Sequence, residues 1–377
     1  MKKVILIPDS FKGTMDSAAI CEIMKRQIEI HYPDAETVSI PVADGGEGSV
    51  DAFLTAVGGV KKALTVTGPF FEPVDSFYGI INDSTAIIEM AACAGLPLAG
   101  DHLDPAAATT FGVGELILDA VKSGCTKIII GLGGSCTNDA GAGMAAALGV
   151  KFYDEKDQEF IPTGGTLSKV KRINSESVSE RISGIEFAAM CDIDNPLYGP
   201  TGAAYVFGPQ KGADASMVAE LDKGLQSIAQ VIRNDLGKEV SNIPGSGAAG
   251  GLGAGVAAFL NAALQPGIDI VLDTVHFDDL LKEADLVFTG EGKMDTQSLR
   301  GKVVIGVARR AKTVGVPVIA VVGDIGDNIE KAYDMGVTSI FSINRVAVPF
   351  KEAKLRSRSD LALTVDDIIR LLKCTHF

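Results

Sequence analysis

Short apolar runs alternate with helical segments at both ends of this chain, and this alternation constrains the fold more than any other feature. Near the N-terminus, VILIPDS (4–10) and TVSIPV (37–42) enclose a helical spacing of apolar residues that begins after Asp16 or Ser17. Continuous apolar runs of this length are typical of strands buried on both faces of a parallel sheet. Strands that alternate with helices therefore predict a doubly wound parallel sheet.

The C-terminal part of the chain repeats this pattern. Strands are predicted at 284–290, 317–324 and 338–343. Helices are predicted at 301–315, 329–336 and 363–373. The middle differs, because residues 61–110 have a strand-like pattern without room for long helices. We therefore predict two α/β domains: a flavodoxin- or Rossmann-like domain of residues 1–70 and 280–377, and an inserted α/β domain of residues 71–279.

Net charge and composition exclude several classes of partner. The formal net charge of -14 would repel nucleic acids and anionic membrane surfaces. The N-terminal apolar run is too short for a signal peptide, and the uncharged stretch at 247–264 is rich in glycine and alanine, which suits a buried helix better than a membrane span. The six cysteines form no CxxC pair, which favours reduced thiols. We predict a cytoplasmic protein that binds small molecules, and the sequence indicates no oligomeric state.

The segment GLGGSCTNDAGAG (131–143) follows a predicted strand at 128–132 and precedes a predicted helix at about 140–148. Its candidate ligand-binding residues are Gly133, Gly134, Ser135, Thr137, Asn138 and Asp139. The glycines would let backbone N–H groups approach a ligand, the hydroxyl and amide side chains would bind it, and the start of the helix would favour an anion. The alternative is a simple turn in which the asparagine or the aspartate caps the helix. The run of consecutive polar residues favours binding.

Three other segments, PDSFKG, ADGGEG and TGEGKMDTQ, place charged side chains at strand ends. Their candidate residues are Asp9, Ser10, Lys12, Asp44, Glu291, Asp295 and Gln297. A lysine suits a phosphate or a carboxylate, and carboxylates at such a place suit Mg²⁺ together with substrate phosphates. The alternatives are a lysine that only faces water and a helix cap formed by Asp44 and Glu47.

Two later segments offer a general base and a further cation. Asp192 and Asp194 in CDIDNP could each accept a proton from a hydroxyl group, although Asp194 also suits an Asx turn. Lys211 in FGPQKGA could bind a phosphate or face water. The chain has no GxxxxGK[ST] motif, and GSGAAG (245–250) matches GxGxxG without a convincing strand before it. The four histidines lie outside these loops, so acid–base chemistry is expected from aspartate or glutamate, and the whole set predicts phosphoryl transfer.

Taken in order, six segments resemble the bacterial type-1 glycerate kinase family: PDSFKG, ADGGEG, GGSCTNDAGAGM, NPLYGPTGAAYVFGPQKGA, PGSGAAGGLG and TGEGKMDTQSLRGK. The resemblance covers essentially the whole chain. It implies ATP-dependent phosphorylation of D-glycerate with Mg²⁺, giving 2-phosphoglycerate or 3-phosphoglycerate. It also implies two α/β domains, one inserted into the other, with the active site between them.

The resemblance carries hypothetical roles onto the matching positions. Lys12 and the loop 133–138 would hold the glycerate carboxylate or the transferring phosphate, and Asp192 would accept the hydroxyl proton. The candidate Mg²⁺ ligands are Asp44 and Asp295. The remaining binding candidates are Asp9, Ser10, Asp139, Lys211, Glu291 and Gln297. Two alternatives stay open: an NAD-dependent hydroxy-acid oxidoreductase, suggested by GSGAAG, and a glycerate-binding sensor without catalysis.

Overall fold

The computed structural model describes residues 1–43 and 45–374, apart from the side chains of Ser179 and Glu180. The strands are β1 (Lys3–Pro8), β2 (Glu36–Ser39), β3 (Val60–Thr67), β4 (Pro73–Ile81), β5 (Thr85–Glu89), β6 (Lys127–Gly131), β7 (Lys151–Tyr153), β8 (Glu159–Phe160), β9 (Arg172–Asn174), β10 (Glu186–Met190), β11 (Ala263–Gln265), β12 (Leu286–Gly290), β13 (Lys293–Met294), β14 (Val318–Val322), β15 (Asp324–Ile325) and β16 (Ser339–Ser342). The α-helices are α1 (Ser17–His31), α2 (Ser49–Val57), α3 (Ala91–Ala94), α4 (Leu96–Ala99), α5 (Phe111–Lys122), α6 (Ala142–Leu148), α7 (Glu176–Arg181), α8 (Ala203–Phe207), α9 (Ala215–Leu236), α10 (Ala248–Leu260), α11 (Gly267–Thr274), α12 (Phe277–Leu281), α13 (Val303–Val314), α14 (Lys331–Asp334) and α15 (Phe350–Cys374). Short 3₁₀ turns span Gly164–Lys169, Pro209–Lys211 and Ser298–Arg300.

The first compact unit contains both ends of the chain. It comprises Met1–Ala43, Thr55–Val57 and Ile268–Phe377. Its sheet has the order β16-β14-β12-β1-β2, and the neighbouring strands pair in parallel. Counted along the chain, this is the flavodoxin-like order 2-1-3-4-5 of a doubly wound sheet. The α/β fold predicted from the alternating strands and helices is confirmed.

Apolar residues on both faces of β1 explain its central place in this sheet. Consecutive residues Val4, Ile5, Leu6 and Ile7 are all 0% exposed. A strand buried on both faces needs helices above and below it, as the continuous apolar run predicts. On one face, the apolar residues of β1 join those of α1 and α15 in a single core. The predicted N-cap of α1 is also confirmed, since an Asp16 side-chain oxygen accepts the Ala19 N–H at 2.7 Å.

The second compact unit comprises Asp44–Leu54 and Gly58–Gly267. Its main sheet has the order β11-β10-β6-β5-β4-β3, in which β11, β10, β6 and β5 are parallel and β4 and β3 are antiparallel. The strand-like region predicted at 61–110 supplies β3, β4 and β5. The predicted domain boundaries near residues 70 and 280 stay a prediction.

Two C-terminal helices differ from their predicted extent. The helix predicted at 363–373 begins earlier, at Phe350. The sequence pattern missed its first turns because they are strongly polar and contain few apolar residues. The helix predicted at 329–336 is limited to Lys331–Asp334. Among the helices of residues 1–43 and 45–374, none is both long enough and apolar enough to cross a membrane.

Candidate active site

The carboxyl ends of β5, β6 and β10 lie side by side in the second unit. Glu89 and Met190, the last residues of β5 and β10, both pair with Gly131 at the end of β6. The segments that follow these strands therefore start at one edge of the sheet, where open α/β sheets bind ligands. The predicted binding loops at 131–143 and 191–196 both begin at this edge.

Close backbone contacts bring the motif ADGGEG onto the same edge. The Gly133 N–H donates to Gly45 O at 3.0 Å. A Cβ atom on Gly133 would lie 2.5 Å from Gly46 Cα, and one on Gly131 would lie 2.3 Å from Gly45 O. The two motifs can therefore pack this closely only with glycine at these positions. Asp44, the predicted metal ligand of this motif, lies outside the described residues.

Glu89, which the sequence analysis did not single out, binds the start of α2. Its Oε1 accepts the Val50 N–H at 2.6 Å, and its Oε2 accepts the Gly48 N–H at 3.3 Å. Glu89 is buried, and burial raises its pKa while these hydrogen bonds lower it. Glu89 lies 39 positions after Val50, on strand β5. The local spacing of the sequence had instead suggested Glu47 as the glutamate of a helix cap.

A buried ammonium group fixes the loop that follows β6. Lys211 is 2% exposed, and its Nζ donates to Ser135 Oγ and to Thr137 O, both at 2.7 Å. Burial lowers the pKa of Lys211 to about 8. Among the described residues, these contacts use two of the three N–H donors of the ammonium group. The third donor is available for an anion.

Asp139 lies behind this loop and binds two helix starts. Its Oδ2 accepts the N–H and hydroxyl hydrogens of Thr110, each at 2.8 Å, and the Gly143 N–H at 3.2 Å. Its Oδ1 accepts the Gly141 N–H at 3.1 Å. Burial raises the pKa of Asp139, whereas these hydrogen bonds lower it. The helix start that the sequence offered to a bound anion is therefore occupied by the protein's own carboxylate.

Thr137 and Asn138 are buried beside Asp139. Both residues are 0% exposed. Thr137 Oγ1 and both polar side-chain atoms of Asn138 have no hydrogen-bond partner among the described residues. Buried polar atoms in this state cost free energy, and such atoms are uncommon in native proteins. The predicted role of the two residues in binding a ligand stays a prediction.

A pocket of about 210 Å³ in the second unit collects several of the predicted residues. Its polar lining consists of Gly133, Gly134, Ser135, Asp192, Gln210 and Lys211, and its other lining residues are Leu96, Leu132, Met190, Cys191, Ile193, Phe207, Ala248 and Ala249. The Asp192 side chain is exposed, and its Oδ1 accepts the Gly267 N–H at 2.8 Å. The pocket therefore offers a buried cation and an accessible carboxylate, which suit the acid group and a hydroxyl group of a small hydroxy acid.

The first unit carries the other predicted residues at its topological switch point. The order of strands along the chain reverses between β1 and β12, which is where doubly wound sheets bind their ligands. Pro8 at the end of β1 pairs with Gly290 at the end of β12, and the Asp9 N–H donates to Gly290 O at 2.8 Å. The segments that follow the two strands leave the sheet side by side. Their candidate residues are Asp9, Ser10 and Lys12 after β1, and Glu291, Asp295 and Gln297 after β12.

Glu291 is the most deeply buried of these candidates. It is 5% exposed, and its Oε1 has no hydrogen-bond partner among the described residues. The pKa of Glu291 is raised to about 7, mainly by burial; a hydrogen bond with Ser298 and the charge of Lys302 lower it, and the carboxylates of Asp9 and Asp295 raise it. In contrast, Asp295 is half-buried and its Oδ1 accepts the Gln297 N–H at 2.8 Å.

These carboxylates fit a magnesium ion that is shared with phosphate groups. In residues 1–43 and 45–374, no three His, Cys, Asp or Glu side chains are grouped so that they could hold a metal by themselves. Mg²⁺ usually keeps several waters and takes one or two carboxylates together with substrate phosphates. The buried Glu291 Oε1 is an oxygen that a cation would satisfy.

Comparison with known proteins decides the family. The family model described as the glycerate kinase family matches residues 4–373. The chain belongs to the glycerate kinase family. A glycerate kinase of Bacillus cereus (strain ATCC 10987 / NRS 248) is 43% identical over 373 residues, 98% of each chain. A glycerate 2-kinase of Escherichia coli (strain K12) is 43% identical over 343 residues, 90% of each chain.

The structural comparison agrees with this family. The crystal structure of a candidate glycerate kinase 2 from Salmonella typhimurium LT2 has a TM-score of 0.88 and 38% sequence identity, and the match covers 100% of this chain and 99% of that chain. The family resemblance seen in the sequence is thereby confirmed, and the protein is a kinase. The oxidoreductase and sensor alternatives are wrong. GSGAAG (245–250) does not directly follow a strand, as a dinucleotide-binding motif would.

Proposed function

We propose that the protein is a glycerate 2-kinase, which transfers the γ-phosphoryl group of ATP to the 2-hydroxyl group of D-glycerate. The observation that carries this proposal is the pocket of the second unit, where a buried lysine and an accessible aspartate line one small volume. Family membership supports the reaction, and the similarity to the glycerate 2-kinase of Escherichia coli supports the 2-position. Phosphorylation of the 3-hydroxyl group is the alternative.

The acid group of the substrate is proposed to bind Lys211. A carboxylate that enters a small pocket without a cation loses hydration and gains little in return. The remaining N–H donor of Lys211, the backbone N–H of Gly134 and the Ser135 hydroxyl are the partners that this pocket provides. This placement directs the hydroxyl groups of the acid toward the rest of the pocket, which includes Asp192.

Asp192 is proposed as the general base. As the substrate oxygen forms its bond to the γ-phosphorus, the bond from that phosphorus to the bridging oxygen breaks and ADP leaves. The hydroxyl proton then passes to the Asp192 carboxylate. Such a base typically contributes about 10²–10⁴-fold to the rate.

The switch point of the first unit is proposed to bind the phosphate groups of ATP. Lys12 carries the positive charge for this role, and Asp9, Ser10 and Gln297 are the proposed polar contacts. Mg²⁺, when bound there, would neutralise part of the phosphate charge. Asp295 is its proposed ligand here, and Asp44 stays the alternative prediction. The Glu291 Oε1, which has no hydrogen-bond partner among the described residues, supports a cation at this place.

Several further expectations accompany this proposal. The four hydrogen bonds that Asp139 accepts support a role in shaping the loop rather than direct substrate binding. A cytoplasmic location is proposed, and the cysteines support it because all six are free thiols. An active site between the two domains, and the absence of nucleic-acid and membrane partners, stay predictions.

Phosphorus NMR of the reaction product tests the proposed function. The purified protein is incubated with D-glycerate, ATP and Mg²⁺. A phosphate on carbon 2 couples to one proton and gives a doublet, whereas a phosphate on carbon 3 couples to two protons and gives a triplet. A triplet would show that the protein is a glycerate 3-kinase. The absence of any ATP-dependent product would overturn the proposed function.

Asp192→Asn is the matched variant for this experiment. It keeps the size of the side chain and the oxygen that accepts the Gly267 N–H. We expect it to bind D-glycerate with similar affinity and to turn it over about 10²–10⁴-fold more slowly. Equal turnover by the variant and the wild-type protein would show that Asp192 is not the general base, and it would not contradict the kinase reaction itself.

A further inference from the structure

Three consecutive residues of the first turns of α10 have a left-handed backbone. They are Ala249 (φ 51°), Gly250 (φ 64°) and Gly251 (φ 88°). Glycine adopts this conformation readily, whereas alanine does so only against a steric penalty. The alanine in this triplet therefore requires a reason.

Packing explains the two glycines but not the alanine. A Cβ atom on Gly250 would lie 1.9 Å from Thr137 O, and one on Gly251 would lie 2.8 Å from Leu197 Cδ1. Neither position can carry a side chain. Ala249, in contrast, lines the 210 Å³ pocket. The one residue of the triplet that keeps a methyl group is the one that lines the pocket, and a backbone outlier at such a place points to function.

The size of the pocket limits what it can hold. Pockets for drug-sized ligands start at about 300 Å³, so a pocket of about 210 Å³ suits a small metabolite and not a nucleotide. The other lining residues of the pocket include the apolar side chains of Leu96, Phe207 and Ala249. With the acid group on Lys211, the carbon chain of the substrate would lie against walls of this kind.

We propose that Ala249, together with Phe207, sets the upper size limit of the hydroxy-acid substrate at three carbons. This inference rests on the proposed function, because it takes the pocket as the site of the acid. A fourth carbon would require the methyl group or the ring to move. The backbone of Ala249 is held by the close packing of Gly250 against Thr137 O, so its methyl group has little freedom to yield.

Ala249→Gly tests the size limit without endangering the fold, because glycine relieves the left-handed strain. The measurement is kcat/KM for D-erythronate, a four-carbon acid, divided by kcat/KM for D-glycerate. D-erythronate is longer than D-glycerate by one hydroxymethylene group. A group of about this size in an apolar pocket changes discrimination by about 10–200-fold, so we expect Ala249→Gly to raise this ratio at least about fivefold. Phe207→Leu should raise the ratio as well, and it leaves the backbone of the triplet unchanged.

Ala140→Gly is the matched control. Ala140 is also a buried alanine with a left-handed backbone (φ 53°, 1% exposed), but it is not part of the pocket lining. Its substitution should leave the ratio unchanged. An equal rise in Ala140→Gly, or no rise in Ala249→Gly, would overturn the role of Ala249. Failure of the wild-type protein to phosphorylate D-glycerate would instead overturn the proposed function, so the two failures are distinguishable.

Discussion

The charge of Lys211 is expected to set the upper pH limit of substrate binding. Burial lowers its pKa from 10.5 to about 8, so the ligand-free protein loses this ammonium proton above pH 8. A bound carboxylate favours the charged form, and binding above pH 8 must therefore take up a proton. We expect the affinity for D-glycerate to fall about tenfold for each pH unit above 8. Calorimetric titration with D-glycerate at constant ionic strength, between pH 6 and 10, measures this dependence.

Lys211→Arg separates the charge from the rest of the side chain. A guanidinium group stays protonated throughout this range, so the variant should bind more weakly at pH 7 but lose no further affinity up to pH 10. A wild-type affinity that is constant to pH 9.5 would contradict the assignment of the acid group to Lys211. In the ligand-free protein, the unfolded chain binds more protons at this lysine between pH 8 and 10.5, so the contribution of Lys211 to the free energy of unfolding rises with pH there.

Glu291 is expected to lower the stability of the ligand-free protein at alkaline pH. Its pKa is raised from 4.5 to about 7, so the folded protein holds this proton over a range in which the unfolded chain releases it. The resulting stabilisation is complete below pH 4.5 and is lost as the pH rises through 7. Such a shift corresponds to roughly 3 kcal/mol. Glu291→Gln should therefore raise the melting temperature at pH 8 and change it little at pH 5, measured without divalent cations or nucleotide.

Glu330→Gln provides the control for this comparison. Glu330 is an exposed carboxylate of the same unit, so its substitution should have little effect on the melting temperature at either pH. If Glu291→Gln and Glu330→Gln behave alike at pH 8, the buried carboxyl group does not titrate as the structure indicates.

At the scale of elements, Asp139 is expected to contribute more stability than an ordinary helix cap. It accepts hydrogen bonds at the starts of both α5 and α6 and is fully buried. Asp139→Ala would leave several buried donors without partners, so we expect it to lower the free energy of unfolding by more than about 3 kcal/mol. Urea unfolding measures this change.

Asp214→Ala is the reference for an exposed cap. Among the described residues, its side chain accepts a single hydrogen bond, from the Met217 N–H at the start of α9 at 2.8 Å, and removing such a cap costs about 1 kcal/mol. Equal losses in the two variants would show that the hydrogen bonds of Asp139 add nothing beyond simple capping.

The elements also show what sequence patterns can and cannot predict. Strands such as β1 and β12 are predictable because their apolar runs are continuous. The loops after them could be chosen as candidate binding loops because open α/β sheets bind ligands at the carboxyl ends of their strands. The early start of α15 was not predictable, because its first turns pack few residues into the core and show little apolar periodicity.

Sequence patterns also cannot predict contacts between residues that are far apart in the chain. The Lys211–Ser135 pair joins residues 76 positions apart, so no local pattern could show that this lysine is buried rather than solvated. The apolar walls of the pocket were missed for a related reason. Leu96, Phe207 and Ala249 look like ordinary core residues in sequence, and only the fold brings them to the same pocket.

At the scale of the whole molecule, each unit takes its core from a different part of the chain. The second unit builds its main sheet and its large core from residues within 58–267. In the first unit, β1 lies between β12 and β2, so the N-terminal segment supplies β1 and β2, and the C-terminal segment supplies β12, β14 and β16. Folding of the first unit therefore depends on contacts between the two ends of the chain.

This arrangement predicts different behaviour for two fragments. Residues 44–267 contain a complete sheet and core, so we expect a cooperative thermal transition by circular dichroism. Residues 268–377 contain β12, β14 and β16 but lack β1 and α1, whose buried side chains Leu6, Ile20 and Met24 belong to the same core. We expect this fragment alone to show no cooperative transition.

Adding residues 1–43 to the fragment 268–377 tests whether the missing β1 and α1 explain the absence of a cooperative transition. These residues carry β1, α1 and β2, so they restore the two strands that are missing from the sheet and the helix that packs on it. We expect the mixture, or the two fragments produced together, to regain a cooperative transition, because the parallel pairing of β1 with β12 and β2 completes the core. A cooperative transition of residues 268–377 alone would contradict the dependence on β1. A fragment 44–267 that stays unfolded would show that the second unit needs the rest of the chain.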